Sequence, residues 1–242
     1  MFFYFKIIFF SVAKWLTMCH LLLCVYHMNA QGTPSSDSTQ AEEIAYKLRF
    51  LDVSIDRVYP VNSYGRNLER NLTGATLSYL MQLKKEKLDY LGFQANFAFI
   101  GSNSNDFPDA NVRTTSYVFG SLLMYRHFPD LYFWKIEPFI EAALGPQFYV
   151  TQTTTNFFDE SESANVDFDE FDTSIAYGLG IGFTLHIYSS TFFFTKFSYF
   201  GGTAVTYLVD RDNQFPFPLD NFRPETTQTN YLKAQFGFTF TL

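Results

Sequence analysis

Cysteine is scarce in this 242-residue chain: its two copies, Cys19 and Cys24, both precede Ala30. Beyond them no thiol remains, which excludes disulfides, thiolate metal sites and a cysteine nucleophile there. Histidine is scarce too, with only His127 and His186 after Ala30. Charged residues make up 17% of the chain, and the 17 basic ones are outnumbered by 24 acidic ones. Phosphate binding needs clustered Lys and Arg, so this balance argues against a nucleic-acid partner. Long apolar runs are also lacking. After the N-terminus no stretch suits a membrane helix, and mean hydropathy is only −0.05. No helical period is sustained after Ala30.

The N-terminus reads as a targeting segment. Met1 to Lys14 is Phe-rich and carries Lys6 and Lys14. An apolar stretch follows from Trp15 to Tyr26, and small Ala30 precedes Gln31. This order predicts a secretory signal over residues 1–30. Lys14 within the apolar run and Met28 before Ala30 keep an uncleaved anchor helix as the alternative. Residues 31–43, polar and rich in Ser and Thr, are expected to be a flexible lead-in. Without Lys6 and Lys14, 15 basic residues face 24 acidic ones, a net charge of −9.

What the chain has is aromatics and alternation. Aromatic residues are 20% of it, with 31 Phe and 16 Tyr. The segment Asn230 to Leu242 places Leu232, Ala234, Phe236, Phe238, Phe240 and Leu242 on one face of an extended strand. Lys233, Gln235, Gly237, Thr239 and Thr241 fall on the other, because side chains alternate with period two.

Seven earlier segments read the same way. The first, Ile44 to Ile55, sets Tyr46, Leu48 and Phe50 against Lys47 and Arg49, then shifts to Leu51, Val53 and Ile55. A bulge after Phe50 is the expected cause of that slip. Thr73 to Lys84, Asp89 to Ile100 and Thr114 to Phe128 follow. Trp134 to Thr151 sets Ile140, Ala142 and Leu144 against Glu137 and Glu141. Thr173 to Tyr188 sets seven apolar residues against Gly178, Gly180, Gly182 and other small or polar ones. Thr191 to Val209 is expected to align Phe193, Phe197, Tyr199, Val205 and Tyr207 opposite Lys196 and Ser198.

The connections alternate long and short. Asp56 to Leu72, Gly101 to Arg113, Gln152 to Asp172 and Asp210 to Thr229 are long. Those around Lys85–Leu88, Pro129-Asp130 and Ser189-Ser190 are short. Antiparallel neighbours joined this way put all long loops at one end. The pattern predicts an all-β, eight-stranded antiparallel up-and-down transmembrane β-barrel. Closure leaves no unpaired edge in lipid. The last strand should pair with Ile44 to Ile55.

A soluble barrel with an apolar inside is the competing reading. Glycines on a solvent face would weaken a strand without gain, whereas inside a narrow barrel they make room for long side chains. Arg49, Arg126, Glu137, Glu141, Lys196 and Lys233 are the candidates for a paired network filling that lumen, joined by Lys47.

Signal segment, eight alternating strands, loop asymmetry and aromatic final strand together resemble the small outer-membrane β-barrel family of Gram-negative bacteria, of which OmpX and the OmpA membrane domain are members. The resemblance covers about Ala41 to Leu242. It implies the outer membrane of a Gram-negative bacterium as location, with lipid and lipopolysaccharide as surroundings. It also implies that Phe236, Phe238, Phe240 and Leu242 form an assembly signal read by the barrel-insertion machinery. In the family that signal usually ends in Phe, where this chain has Leu242.

Enzymatic signals are weak. His186 and Ser189 offer a superficial Ser–His pair, but at the short-turn end, away from the outer leaflet. Seven acids lie between Phe157 and Asp172 with no base among them. Asp167, Asp169, Glu170 and Asp172 are the weak candidates for a divalent cation, although the spacing of a calcium loop is missing. No cofactor is expected. The expected role is structural, interactive or adhesive, through long extracellular loops with a possible protein partner. Strands five and six look long enough to project and offer a sheet edge. A narrow passive porin is the alternative, and a lipid-modifying enzyme is third.

Overall fold

The computed structural model describes residues 48–84, 88–129, 131, 135–158, 165–188, 190–210 and 215–242. The chain divides into two compact units. Met1–Ala45 holds the expected signal and lead-in and lies outside the described residues; Tyr46–Leu242 holds every element below.

Among the described residues ten strands form: β1 (Arg49–Pro60), β2 (Leu72–Gln82), β3 (Asp89–Asp106), β4 (Ala110–His127), β5 (Ile136–Phe157), β6 (Asn165–Tyr188), β7 (Thr191–Gly202), β8 (Ala204–Asp210), β9 (Phe222–Gln228) and β10 (Tyr231–Thr241). Eight of them close a barrel in the order β1-β10-β7-β6-β5-β4-β3-β2, and β2 returns to β1. All pairs are antiparallel. The closing pair runs from Phe50 opposite Thr241 to Pro60 opposite Tyr231.

The outer face carries the apolar half of each alternating pattern. Val53 and Ile55 on β1, Phe93 and Phe97 on β3, and Leu123 and Tyr125 on β4 are exposed. So are Leu179 (72% exposed) and Ile181 on β6, and Phe236, Phe238 and Phe240 on β10. Charged residues such as Arg126, Glu141 and Lys233 are buried inside. This inversion of a water-soluble protein leaves an apolar outer surface of the kind that meets lipid. A closed antiparallel barrel of even strand number with such a belt is an outer-membrane β-barrel.

The first strand departs from expectation. No bulge follows Phe50, since β1 pairs without interruption with both neighbours. Phe50 faces inward instead and stacks on Tyr90, with ring centroids 4.8 Å apart. An aromatic layer fills that end of the lumen, so an apolar inward residue needs no slip. Asp52, Ser54 and Asp56 continue the inward phase and are buried, and Arg49 falls in the outward phase with Val53 and Ile55.

The seventh segment splits. β7 stops at Gly202, where its neighbour β10 also runs out, since the pairing of these strands begins at Phe200 opposite Tyr231. Beyond Thr203 the chain leaves the wall as β8 and pairs with β9, a strand inside what reads as a Pro-rich loop. Val205 and Tyr207 are therefore not on the lipid face: each is 1% exposed. The hairpin crosses the barrel mouth, and Asn103 Nδ2 on β3 donates to Asp210 Oδ1 at 3.3 Å.

Two expected long loops are mostly strand. β3 and β4 have 18 residues each, β5 has 22 and β6 has 24, against 11 or 12 in β1, β2, β7 and β10. Bilayer-spanning strands need about 9–11 residues, so β3 to β6 project beyond the barrel as a sheet. The connection between β1 and β2 holds helix α1 (Asn62–Leu68), too short to give a helical period. Gly65 lets α1 rest on the preceding strand: a Cβ there would lie 2.5 Å from the Pro60 carbonyl oxygen. Glu69, at φ 52°, ends the helix and donates its N–H to the Gly65 carbonyl.

Candidate functional site

The lumen is filled in three layers. At the short-turn end Phe50, Tyr90, Phe128 and Phe139 pack stacked, edge to face or tilted, at centroid distances from 4.8 to 6.2 Å. At the other end Tyr64 of α1 meets Tyr207 of β8 at 5.3 Å, and Tyr207 meets Tyr149 at 5.9 Å. Leu68 of α1 is buried beside them. Burial and the neighbouring tyrosines push the Tyr64 hydroxyl well above its ordinary pKa, so it stays neutral.

Between these layers lie six buried charges. Arg126 Nη2 donates to Asp52 Oδ2 at 2.7 Å and to Glu141 Oε2 at 2.8 Å, and its Nε donates to the same oxygen at 3.1 Å. The guanidinium also stands 4.3 Å from the Phe139 ring centroid. Lys196 Nζ pairs with Glu141 Oε1. Lys233 Nζ lies 2.9 Å from Asp56 Oδ2 and donates to Thr76 Oγ1 at 2.9 Å. Asp52 accepts a further bond from Thr239 at 2.7 Å, and Asp56 accepts from Ser54, Gln235 and Thr76.

Asp52, Asp56 and Glu141 thus balance Arg126, Lys196 and Lys233. Buried charge is tolerated only when paired and hydrogen-bonded, because desolvation costs several kcal/mol per ion. The glycines of β6 make room for aromatic rings of the filling rather than for the long charged side chains expected: a Cβ on Gly182 would lie 2.5 Å from Phe139 Cζ, and one on Gly178 2.5 Å from Phe200 Cδ1.

Of the expected lumen residues, Arg126, Glu141, Lys196 and Lys233 meet in this layer. Glu137 has the same phase on β5 but sits half-buried near the short-turn rim, outside the cluster. Arg49 does not enter the lumen. It lies at that rim on the outer face, where a long cationic chain can reach water. Lys47 lies outside the described residues. Sequence reasoning missed Asp52 and Asp56, having ended the first strand at Ile55 and invoked a bulge. The signal was present: Asp52, Ser54 and Asp56 interleave with Val53 and Ile55.

An interior cavity between Asp56, Gln147, Tyr149, Tyr231 and Lys233 measures about 20 Å³, room for about one water.

The acidic segment is strand from Asn165 onward, and its carboxylates take separate partners. Asp167 accepts from Asn165 and Asp169 from Thr153 at 2.7 Å. Asp172 accepts from the backbone N–H groups of Thr173 and Thr206. Among the described residues no group of three or more His, Cys, Asp or Glu could hold a metal ion. Asp159, Glu160 and Glu162 lie outside them. Burial raises the Asp169 pKa above its ordinary 3.8, and Asp167 adds to the shift while the Thr153 bond opposes it. His127 lies with Nδ1 2.7 Å from Asp89 Oδ1, which also accepts from Tyr125 OH at 2.6 Å. His186 stacks on Phe192 at 4.9 Å, and Ser189 is outside the described residues.

The chain is similar to several solved structures. Neisserial surface protein A is 10% identical, with 79% of this chain and 96% of that one covered and a TM-score of 0.42. A major outer membrane protein from Thermus thermophilus is 9% identical, with coverage of 81% and 100% and a TM-score of 0.45. Ail of Yersinia pestis, solved with the heparin analogue sucrose octasulfate, is 13% identical, with coverage of 80% and 99% and a TM-score of 0.36. No protein-family model and no curated protein matches the chain.

Proposed function

We propose that this is a closed, non-enzymatic outer-membrane barrel of a Gram-negative cell that acts through its projecting sheet. The filled lumen supports this reading over a porin: a balanced six-charge layer lies between two aromatic layers, and solute would have to displace all three.

The observation that carries the interactive role is the height of β5 and β6. β6 pairs with β7 only from Ala176 down to Tyr188. Ile175 and Asp172 are still bonded by Thr203 and by Thr206 of β8. Above Asp172, where β5 accompanies it to Asn165, β6 is the edge of the sheet. A strand edge outside the membrane is a template for an added partner strand. Val166 and Phe171 are exposed beside it, with Asp167 and Glu170 adding negative charge. The terminal Phe236, Phe238, Phe240 and Leu242 serve assembly, offering the barrel-insertion machinery an aromatic lipid-facing row. Lipopolysaccharide surrounds the outer half of the belt.

Two measurements test this. The purified full chain in a planar bilayer should show no unitary conductance; steady current steps overturn the closed lumen. Val166→Pro, which interrupts the projecting part of β6, should abolish adhesion or autoaggregation of expressing cells while leaving heat-modifiable gel mobility intact. Unchanged adhesion removes the edge from the function.

A further inference from the structure

The outer face of the barrel is not uniform. β4, β5 and β6 place Tyr125, Ala142 and Leu179 in one cross-strand row. The next row toward the short-turn end runs His127, Ile140, Ile181 and Phe197. Ala142 is the small member among large neighbours. Around it Tyr125, Ile140, Leu179, Ile181 and Phe197 stand out as walls and leave a groove of about 410 Å³. That size falls within the roughly 300–1,000 Å³ of small-molecule sites.

We propose that this groove binds one acyl chain of a phospholipid from the leaflet on the short-turn side. The groove lies within the apolar belt, so it is continuous with the lipid surface already described, and its occupant comes from lipid. Its walls are side chains of apolar or aromatic residues. The cluster's Glu141 carboxylate is directed into the lumen, toward Arg126 and Lys196, and gives the groove no charge. A flexible hydrocarbon chain matches these walls without desolvating a polar group.

The height selects the leaflet. Tyr125 is two residues from the short-turn end of β4, and Ile140 is four residues above the start of β5. Directly beyond Tyr125 lie His127 and Asp89, linked to each other and, through Asp89, to the Tyr125 hydroxyl. This polar pair marks where the apolar belt meets water, so a chain in the groove has its headgroup at that rim.

Native mass spectrometry of the detergent-extracted full chain tests the idea, with a synthetic diacyl phosphatidylethanolamine as added probe. The wild-type protein should retain one lipid at collision energies that strip the rest. Ala142→Phe fills the groove and should lower the one-lipid population at least tenfold. Leu144→Phe, on the same strand and face but outside the groove, should leave it unchanged. Both variants must keep heat-modifiable mobility, which confirms folding. Equal retention by wild type and Ala142→Phe means annular lipid only and overturns the proposal. A wild-type dimer lost in Ala142→Phe also overturns it, because the groove would then receive a second copy of the chain.

Discussion

Replacing Arg126 by Met is the most direct test of how the lumen is held. Arg126 is fully buried and bridges two carboxylates from opposite walls, Asp52 on β1 and Glu141 on β5. Without it, Asp52, Asp56 and Glu141 face only Lys196 and Lys233, and the interior carries one uncompensated negative charge. Glu141 keeps Lys196, while Asp52 keeps only the Thr239 hydroxyl among the contacts of this layer. Removing one partner of a buried ion pair costs about 3–5 kcal/mol, and Arg126→Met should fall in that range. Adding Asp52→Asn restores charge balance, with Asp56 and Glu141 matched by Lys196 and Lys233. The double variant should therefore be more stable than Arg126→Met alone, with a coupling toward the upper end of about 0.5–3 kcal/mol. The assay is urea titration of the barrel in lipid vesicles, with the folded fraction read from heat-modifiable gel mobility. A loss below about 1 kcal/mol, the scale of an exposed pair, or a double variant no better than the single one would refute the charge-balance argument.

Gly182→Val should destabilise the barrel by about 1–3 kcal/mol through overpacking, because its Cβ would meet both Phe139 Cζ and the Thr195 carbonyl oxygen at 2.5 Å; the same urea titration reads it. Asp169, in the projecting part of β6, should show an NMR carboxyl titration midpoint above 3.8, and Asp167→Asn should bring the midpoint down. Its raised folded pKa means the protonated form favours the folded hairpin. That contribution is fully present below pH 3.8 and is lost as pH rises through the raised value. A midpoint at or below the ordinary value contradicts the burial of this carboxyl.

The closing strand shows how much a local pattern can determine. Phe236, Phe238 and Phe240 were assignable to lipid, and Lys233 and Gln235 to the interior, because period-two alternation is a property of residues i and i+2 alone. The same rule, with the rhythm of short and long connections, was enough for eight antiparallel wall strands and for the pairing of the last with the first. It did not reach the contents of the lumen. Whether an inward position takes Phe50 or Asp52 depends on its height in the barrel and on what comes across from β3, β4 and β10. Strand stagger sets that height, and no single segment records it. The β8–β9 hairpin escaped for a related reason. Val205 and Tyr207 continue the alternation of β7, but the wall has ended there, and both are buried over the mouth, where Tyr207 packs against Tyr64 and Tyr149. Sequence alone thus determined which face meets lipid, since lipid asks only for apolarity. The tertiary structure decided which buried charges neutralise one another, since partners from different strands meet only once the barrel closes.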